Sequence, residues 1–177
     1  MKGAADRTDK MRLKRDASGA GVPEPRFVWP SPPYYEFMDS PAQLSEECLL
    51  LFTDGEKATG LLIDFLPGEA TLKFLQSKAK NAVTIAFSAL LGVHLLRPVA
   101  ARRQSVSLED DGEVFAASDR QGFSVRLVNG TSLEGETVGH VHALCGLFLY
   151  LPEPDGSVIR CFVPSGAALD SRIGKPL

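Results

Sequence analysis

A turn dipeptide followed by a second glycine occurs twice in this chain, 75 residues apart. Asp54-Gly55 precedes Gly60, and Asn129-Gly130 precedes Gly135 at the same distance. Such dipeptides join antiparallel strands because their second residue readily takes a positive φ. The apolar runs match in the same register, with Leu72, Phe74 and Leu75 falling on Leu147, Leu149 and Tyr150, and Val83 and Phe87 on Val158 and Phe162. This shared register predicts an internal duplication.

The residues around each turn form short β-type runs. In the first copy the runs are 49–53, 59–66, 70–75, 83–87 and 92–96, the last closed by Arg97-Pro98. A helix across 72–91 is the alternative, but β-branched residues and a polar break at 78–81 disfavour it. Five short strands in about fifty residues are typical of a small barrel. We therefore predict a mainly β fold of two tandem small β-barrels of SH3/Sm-like type, packed together because each is near the lower size limit for a stable core.

The predicted organisation has five parts. They are a disordered tail at 1–24, a Pro/aromatic arm at 25–47, the first barrel at 48–98, a charged linker at 99–121 with an edge strand at 113–117, and the second barrel with a C-terminal extension at 122–177. Asp170, Ser171 and Arg172 stand where the first copy has its apolar closing run. The second copy is therefore expected to lack its own fifth strand, or to borrow an edge from the first copy or from the arm.

The arm contains four prolines and five aromatic residues within residues 25–38. Proline disfavours a helix or a central strand, whereas the aromatic rings carry apolar surface that needs a partner. Two interpretations follow. The arm lies on the folded domain itself, or it docks into a groove of another protein, with Trp29 and Tyr34 as contact residues.

Composition excludes several function classes. Lys+Arg 19 against Asp+Glu 22 gives a net charge of −3, which argues against attraction of the whole protein to nucleic acid or acidic lipid. The longest apolar stretch, 82–96, is shorter than the roughly 20 residues of a membrane-spanning helix, and the first twenty residues lack the apolar centre of a secretory signal. Three cysteines without C-x-x-C spacing, each among apolar neighbours, are typical of reduced thiols. We expect a cytoplasmic protein without a membrane span.

Few residues are arranged for chemistry. His140 and His142 are spaced to share one face of a strand as a metal pair, but the sequence offers no third ligand of suitable spacing, so partly exposed strand histidines are the favoured interpretation. The chain has no serine in a G-x-S-x-G elbow, no nucleotide phosphate loop and no calcium-loop series. We predict no enzyme, no metal and no cofactor.

The one compact cationic group in the sequence is Arg97, Arg102 and Arg103. Arginine binds phosphate groups with two parallel hydrogen bonds, so this group is a candidate site for a phosphate or a cyclic dinucleotide. The group loosely resembles the spaced arginines of PilZ receptors, with Asp110 and Asp111 following but without the serine and glycine of that pattern.

Two families supply resemblances. The segment from Leu51 to Phe65, with Asp54-Gly55 and Gly60 and followed by Leu72, resembles the first signature half of Sm-like small barrels. This resemblance implies barrel geometry. Glu69-Ala70-Thr71 and Ala86-Phe87-Ser88 replace the family's base-reading asparagine and its Arg-Gly or Lys-Gly element, so RNA binding is not carried over with it.

The second resemblance is to the amino-terminal accessory region of secretion ATPases of the type II secretion and type IV pilus assembly family. It is carried by the aromatic segment 27–34, the two barrel-like runs, and Arg172, Ile173, Gly174 and Leu177, which match an Arg-[Ile/Leu]-Gly-x-x-Leu sequence. In that family this sequence opens a helical domain ahead of the motor, and in some members that domain binds cyclic di-GMP. The resemblance implies the accessory module without its motor, either as a fragment or as an independent gene product.

We therefore expect a non-catalytic accessory or regulatory module that binds proteins of the secretion or pilus machinery. It would be cytoplasmic and peripheral to the inner membrane through its partners. The alternatives are a sensor of a cyclic dinucleotide or phosphate ligand and an Sm-like RNA-binding protein. The expected ligand or partner contacts are Arg97, Arg102, Arg103, Arg172, Trp29 and Tyr34.

Overall fold

The structure is a computed structural model that describes residues 29–31, 35–37, 45–103 and 120–174. The predicted tail at 1–24, most of the arm including Tyr34, the predicted edge strand at 113–117 and Leu177 lie outside these residues. The described part is mainly β, as predicted. No helix in it is long and apolar enough to cross a membrane.

The first half contains a short strand from the arm and five longer strands. They are β1 (Tyr35–Phe37), β2 (Glu46–Phe52), β3 (Lys57–Leu66), β4 (Thr71–Gln76), β5 (Val83–Ala86) and β6 (Leu90–Arg103), with 3₁₀ helices at Pro67–Glu69 and Phe87–Ala89. The described residues of the second half, 120–174, form six strands. They are β7 (Gln121–Leu127), β8 (Ser132–Thr137), β9 (Gly139–Ala143), β10 (Gly146–Pro152), β11 (Ser157–Pro164) and β12 (Ala168–Gly174).

The described strands form two sheets. One has nine strands in the order β5-β4-β3-β2-β6-β11-β10-β9, with β1 also paired to β6, and the other has three in the order β12-β7-β8. Neither sheet closes on itself, so the two separate closed barrels expected from the sequence are not confirmed. Instead β6 of the first half pairs with β11 of the second, and one continuous sheet joins the halves.

The two turns that carry the repeat have the same hydrogen bonds. Gly55 and Gly130 have φ of 89° and 84°, and each glycine N–H donates to the carbonyl three residues earlier, at 3.0 and 2.9 Å. The Asp54 and Asn129 side chains each accept from the backbone N–H two residues later. Positive φ is strained for residues with a Cβ, which explains why glycine stands at both positions.

The pairings on either side of these turns correspond only in part. The β2–β3 and β7–β8 hairpins have the same register when the offset of 75 is applied, since Glu46 faces Leu62 and Gln121 faces Thr137. The continuous strand β3 has a bulge between Leu62 and Asp64, and the corresponding strand of the second half is broken between β8 and β9. The other strand pairs of the first half also have counterparts in the second half. Their registers differ by two or three residues when the offset of 75 is applied.

The prediction that Arg97-Pro98 ends the last strand of the first half is wrong, because β6 continues to Arg103. The pairing of β6 with β11 is irregular here: Leu95 faces Arg160 and Val99 faces Val158, so residues 96–98 lie opposite the single residue Ile159. Proline has no N–H to donate to a ladder and is tolerated at such bulges.

The expectation that the second half lacks or borrows its closing strand is also wrong. Strand β12 pairs with β7 through residues of its own half. Its polar sequence has a physical reason, because β12 is an edge strand of the small sheet and Leu169, Asp170, Ser171 and Arg172 are exposed. Ala168 and Ile173 supply its contacts with the core.

The buried apolar residues form two clusters on opposite faces of the central strands. On β10, Phe148 and Tyr150 belong to the first cluster, whereas Leu147 and Leu149 belong to the second. The first cluster continues into β2, β3 and β4, and the second into the three-stranded sheet. Because alternate residues of one strand serve both clusters, the two halves depend on each other for burial.

A buried ion pair also joins the halves. Arg160 on β11 is 7% exposed, and its guanidinium lies 2.5 Å from the Glu46 carboxylate on β2. Removing one partner would leave an uncompensated charge in the interior, which is strongly destabilising. The sequence carries no local signal for this contact, because its partners are 114 residues apart.

Candidate partner-binding surface

The three arginines of the predicted ligand site lie along one strand. Arg97 is partly buried near the bulge of β6, and Arg102 and Arg103 are in its last residues, where their backbones pair with Glu36 and Tyr35 of β1. An extended strand rises about 3.3 Å per residue, so the Arg97 and Arg102 backbones are separated by roughly 16 Å. The backbones of the predicted ligand site are therefore spaced along β6.

Arg172 lies apart from the other predicted contacts, on the exposed edge strand β12. Its side chain is 86% exposed and approaches the Asp170 carboxylate at 3.5 Å. Ion pairs as exposed as this one contribute little to stability. Residues 172–174, which carry part of the resemblance to the secretion ATPases described above, form the end of strand β12.

Trp29 is one of the arm residues that the structure describes, and its side-chain contacts are defined. Its ring packs against Phe65 of the first half and Phe148 and Phe162 of the second, with ring centroids 5.3, 5.1 and 6.3 Å away. Two of these contacts are edge-to-face, the arrangement that aromatic pairs prefer. At this residue the arm follows the first interpretation and lies on the domain itself.

The three histidines occupy two regions of the central sheet. His94 on β6 is next to Cys161 on β11, with Nε2 and Sγ 3.5 Å apart, and burial together with the nearby Lys57 charge lowers the His94 pKa. His140 and His142 on β9 lie side by side, with ring centroids 5.3 Å apart. No group of three or more metal-ligating side chains occurs within the described ranges.

The cysteines are poor nucleophiles. Burial raises the pKa of Cys48 and of Cys161 to about 12, and it also raises the pKa of Cys145. A thiolate is the reactive form, so these thiols stay protonated and unreactive at neutral pH. All three are free thiols, as their spacing predicted.

A groove of about 420 Å³ opens beside the first half. It lies between the start of β3 and the end of β4, and exposed Leu96 of β6 contributes to its wall. The other lining residues are Glu47, Thr59, Gly60, Leu61, Leu75, Gln76, Ser77, Lys78 and Ala79. This lining mixes polar and apolar side chains.

Three turns of the second half come together and expose large apolar side chains. The Val128 N–H donates to the Ala167 carbonyl, and the Ser165 N–H donates to the Cys145 carbonyl, each at 2.9 Å. These bonds hold the turns after β7, β9 and β11 side by side. On or next to these turns, Val128 is 44% exposed, Leu169 60% and Leu144 fully exposed. We call Val128, Leu144 and Leu169 the apolar turn end.

The sequence alone does not reveal the apolar turn end. Its three residues are more than 15 positions apart in sequence and come together only through hydrogen bonds between turns. One local signal was available, since Leu144 lies in the turn just before Gly146, where an apolar side chain has little to pack against. Single exposed leucines are common, so this signal is weak without the structure.

The comparisons with known proteins add no relative. Neither the family models, nor the curated proteins, nor the solved structures include a match to this chain.

Proposed function

We propose that this protein is a non-catalytic accessory or regulatory module, made of two duplicated SH3/Sm-like units, that binds proteins of the secretion or pilus machinery. The duplication is supported by the equal hydrogen bonding of the two repeat turns and the equal register of their hairpins. It is also supported by burial, because Cys48, Leu50 and Leu72 lie in the first core and their matches at an offset of 75 lie in the second.

The observation that carries the binding role is the apolar turn end. Large apolar side chains grouped on a surface mark interaction sites more often than isolated ones do. The first half provides a comparison within the same chain. At an offset of 75, Val128 corresponds to Thr53 and Leu144 to Glu69, both polar and exposed. At these two positions the second half has apolar residues where the first half has polar ones.

The resemblance to the secretion ATPases supports the kind of partner. In this proposal the partner is a membrane-associated platform or regulatory protein of such a machine. The chain would then be cytoplasmic and peripheral to the inner membrane through that protein. An apolar surface of modest size suits a protein partner better than an RNA, whose phosphates require basic side chains.

The test replaces two residues of the apolar turn end with the residues that the first half has at the matching positions. The Val128→Thr and Leu144→Glu double variant gives the second half the residues of the first. Isothermal titration would measure binding of the full chain to purified cytoplasmic domains of a pilus or secretion platform protein. We expect wild-type binding and at least about a tenfold loss in the variant, which corresponds to roughly 1.4 kcal/mol.

Val83→Thr is the matched control. Val83 is 53% exposed on β5, at the opposite edge of the nine-stranded sheet, so its replacement should leave binding unchanged. Equal affinity of the wild type and the double variant would contradict a role for the apolar turn end. No binding of the wild type to any platform domain would contradict the proposed partner class.

The sensor alternative has less support from the geometry. A cyclic dinucleotide needs guanidinium groups that converge on its phosphates, whereas β6 separates the backbones of Arg97 and Arg102 by roughly 16 Å. Adding cyclic di-GMP in the same titration tests this alternative directly.

A further inference from the structure

His140 and His142 form a pair of imidazoles at one edge of the described sheet. Both are on β9, the last strand of the nine-stranded sheet in its pairing order. Residues two apart in a strand lie on the same face. Their ring centroids are 5.3 Å apart and their planes meet at 83°.

We propose that His140 and His142 together bind one divalent transition-metal ion of the Zn²⁺, Ni²⁺ and Cu²⁺ class, with water or an outside ligand in the remaining coordination positions. Imidazole is the ligand these ions share, and a histidine pair on adjacent positions of one face can chelate a single ion. The proposal concerns a different surface from the apolar turn end and does not depend on the proposed binding role.

The separation of the rings fits this geometry. A zinc–nitrogen bond is about 2.1 Å long, which places each ring centroid about 3.2 Å from the ion. Two rings that bind the same ion with a tetrahedral nitrogen–metal–nitrogen angle have centroids about 5.2 Å apart. The observed separation of 5.3 Å agrees with the separation that binding of one ion by both rings requires.

The surroundings leave both rings accessible to an ion and place no competing charge opposite them. His142 is exposed and His140 is partly exposed, so an ion can reach both rings from solvent. On the neighbouring strand they face Leu149 and Leu147, which are apolar and supply no competing charge.

The site differs from a structural metal centre. No group of three or more ligating side chains occurs in the described part of the chain, so the protein supplies two ligands and leaves the rest open. Structural zinc sites use four protein ligands, and catalytic ones use three. An ion held by two histidines would bind reversibly and could accept a ligand from another molecule.

The test is a titration of the full chain, free of any histidine tag, with NiCl₂ at pH 7.5. We expect one ion per chain and tighter binding of Cu²⁺ than of Ni²⁺, as the general order of metal affinities requires. His140→Asn and His142→Asn should each weaken Ni²⁺ binding by at least about tenfold, since either change leaves a single imidazole. The only other histidine in the chain is His94, which both variants retain.

Cys145→Ser is the control for binding by the partly exposed thiol and should bind Ni²⁺ like the wild type. Loss of binding in Cys145→Ser, or a loss of less than tenfold in His142→Asn, would overturn the proposal. His142 is exposed, so its replacement leaves the fold intact and decides the question even where His140→Asn is unstable. Far-UV circular dichroism of each variant verifies that the strands are retained.

Discussion

At the scale of single residues, burial changes the behaviour of side chains more than their sequence neighbours suggest. His94 lies within an apolar sequence run, and in the structure its ring is largely buried beside the protonated thiol of Cys161. Burial first, and the nearby Lys57 charge second, lower its pKa below the ordinary value of 6.5. Protonation of His94 is therefore easier in the unfolded chain than in the folded protein.

This shift predicts a loss of stability in mild acid. Because the unfolded state binds the proton more tightly, the stabilisation is complete above about pH 6.5 and is lost as the pH falls through the folded-state pKa. Between pH 7.5 and 5.5 one such group contributes at most about 1.4 kcal/mol to the loss. Unfolding in urea at the two pH values would measure this loss as a change in the free energy of unfolding.

His94→Leu removes the titrating group and is the comparison variant. It should lose less stability than the wild type between pH 7.5 and 5.5, whatever its absolute stability. An equal loss in both proteins would show that His94 is not the group responsible.

At the scale of strands, local chemistry determined what the sequence could predict. The turns at Asp54-Gly55 and Asn129-Gly130 form as predicted because their geometry is set by a few adjacent residues. The continuation of β6 past Pro98 was missed, since it depends on a bulge formed with β11, a strand about 60 residues away. Pairing of β6 with β11 has no local signal at all, and it is this pairing that merges the expected barrels into one sheet.

Gly60 shows how closely strands approach in this fold. A Cβ at this position would lie 2.2 Å from the Leu75 carbonyl oxygen and 2.9 Å from the Gln76 Cα, both backbone atoms of β4. Gly60→Ala therefore forces β3 and β4 apart. We expect it to lower the free energy of unfolding by about 2–3 kcal/mol, the upper part of the range for overpacking. Equilibrium unfolding in urea is the appropriate measurement.

Gly68→Ala is the matched control, because a Cβ at Gly68 meets no atom within 4 Å. Its stability should stay within about 0.5 kcal/mol of the wild type, as is usual at open surface positions. A Gly60→Ala variant as stable as Gly68→Ala would mean that β3 and β4 separate easily.

At the scale of the whole molecule, the halves share their interior. Phe162 of the second half is fully buried against Phe65 and Phe87 of the first, with ring centroids 5.0 and 5.1 Å apart. The Arg160–Glu46 ion pair joins the halves a second time. The sequence repeat predicts two separate barrels packed against each other, whereas in the structure the shared burial makes the stabilities of the two halves inseparable. The apolar turn end also depends on the tertiary structure, because its residues come together only once the turns of the second half are packed.

Shared burial predicts that the protein unfolds in a single transition. Trp29 is the only tryptophan in the chain and contacts rings of both halves, so its fluorescence reports on the boundary between them. Far-UV circular dichroism reports on all strands. The urea curves from the two signals should coincide, and Phe162→Ala should shift both by the same amount, with a loss of about 3–5 kcal/mol. Two units that unfold independently would instead separate the curves, and Phe162→Ala would then shift only one of them.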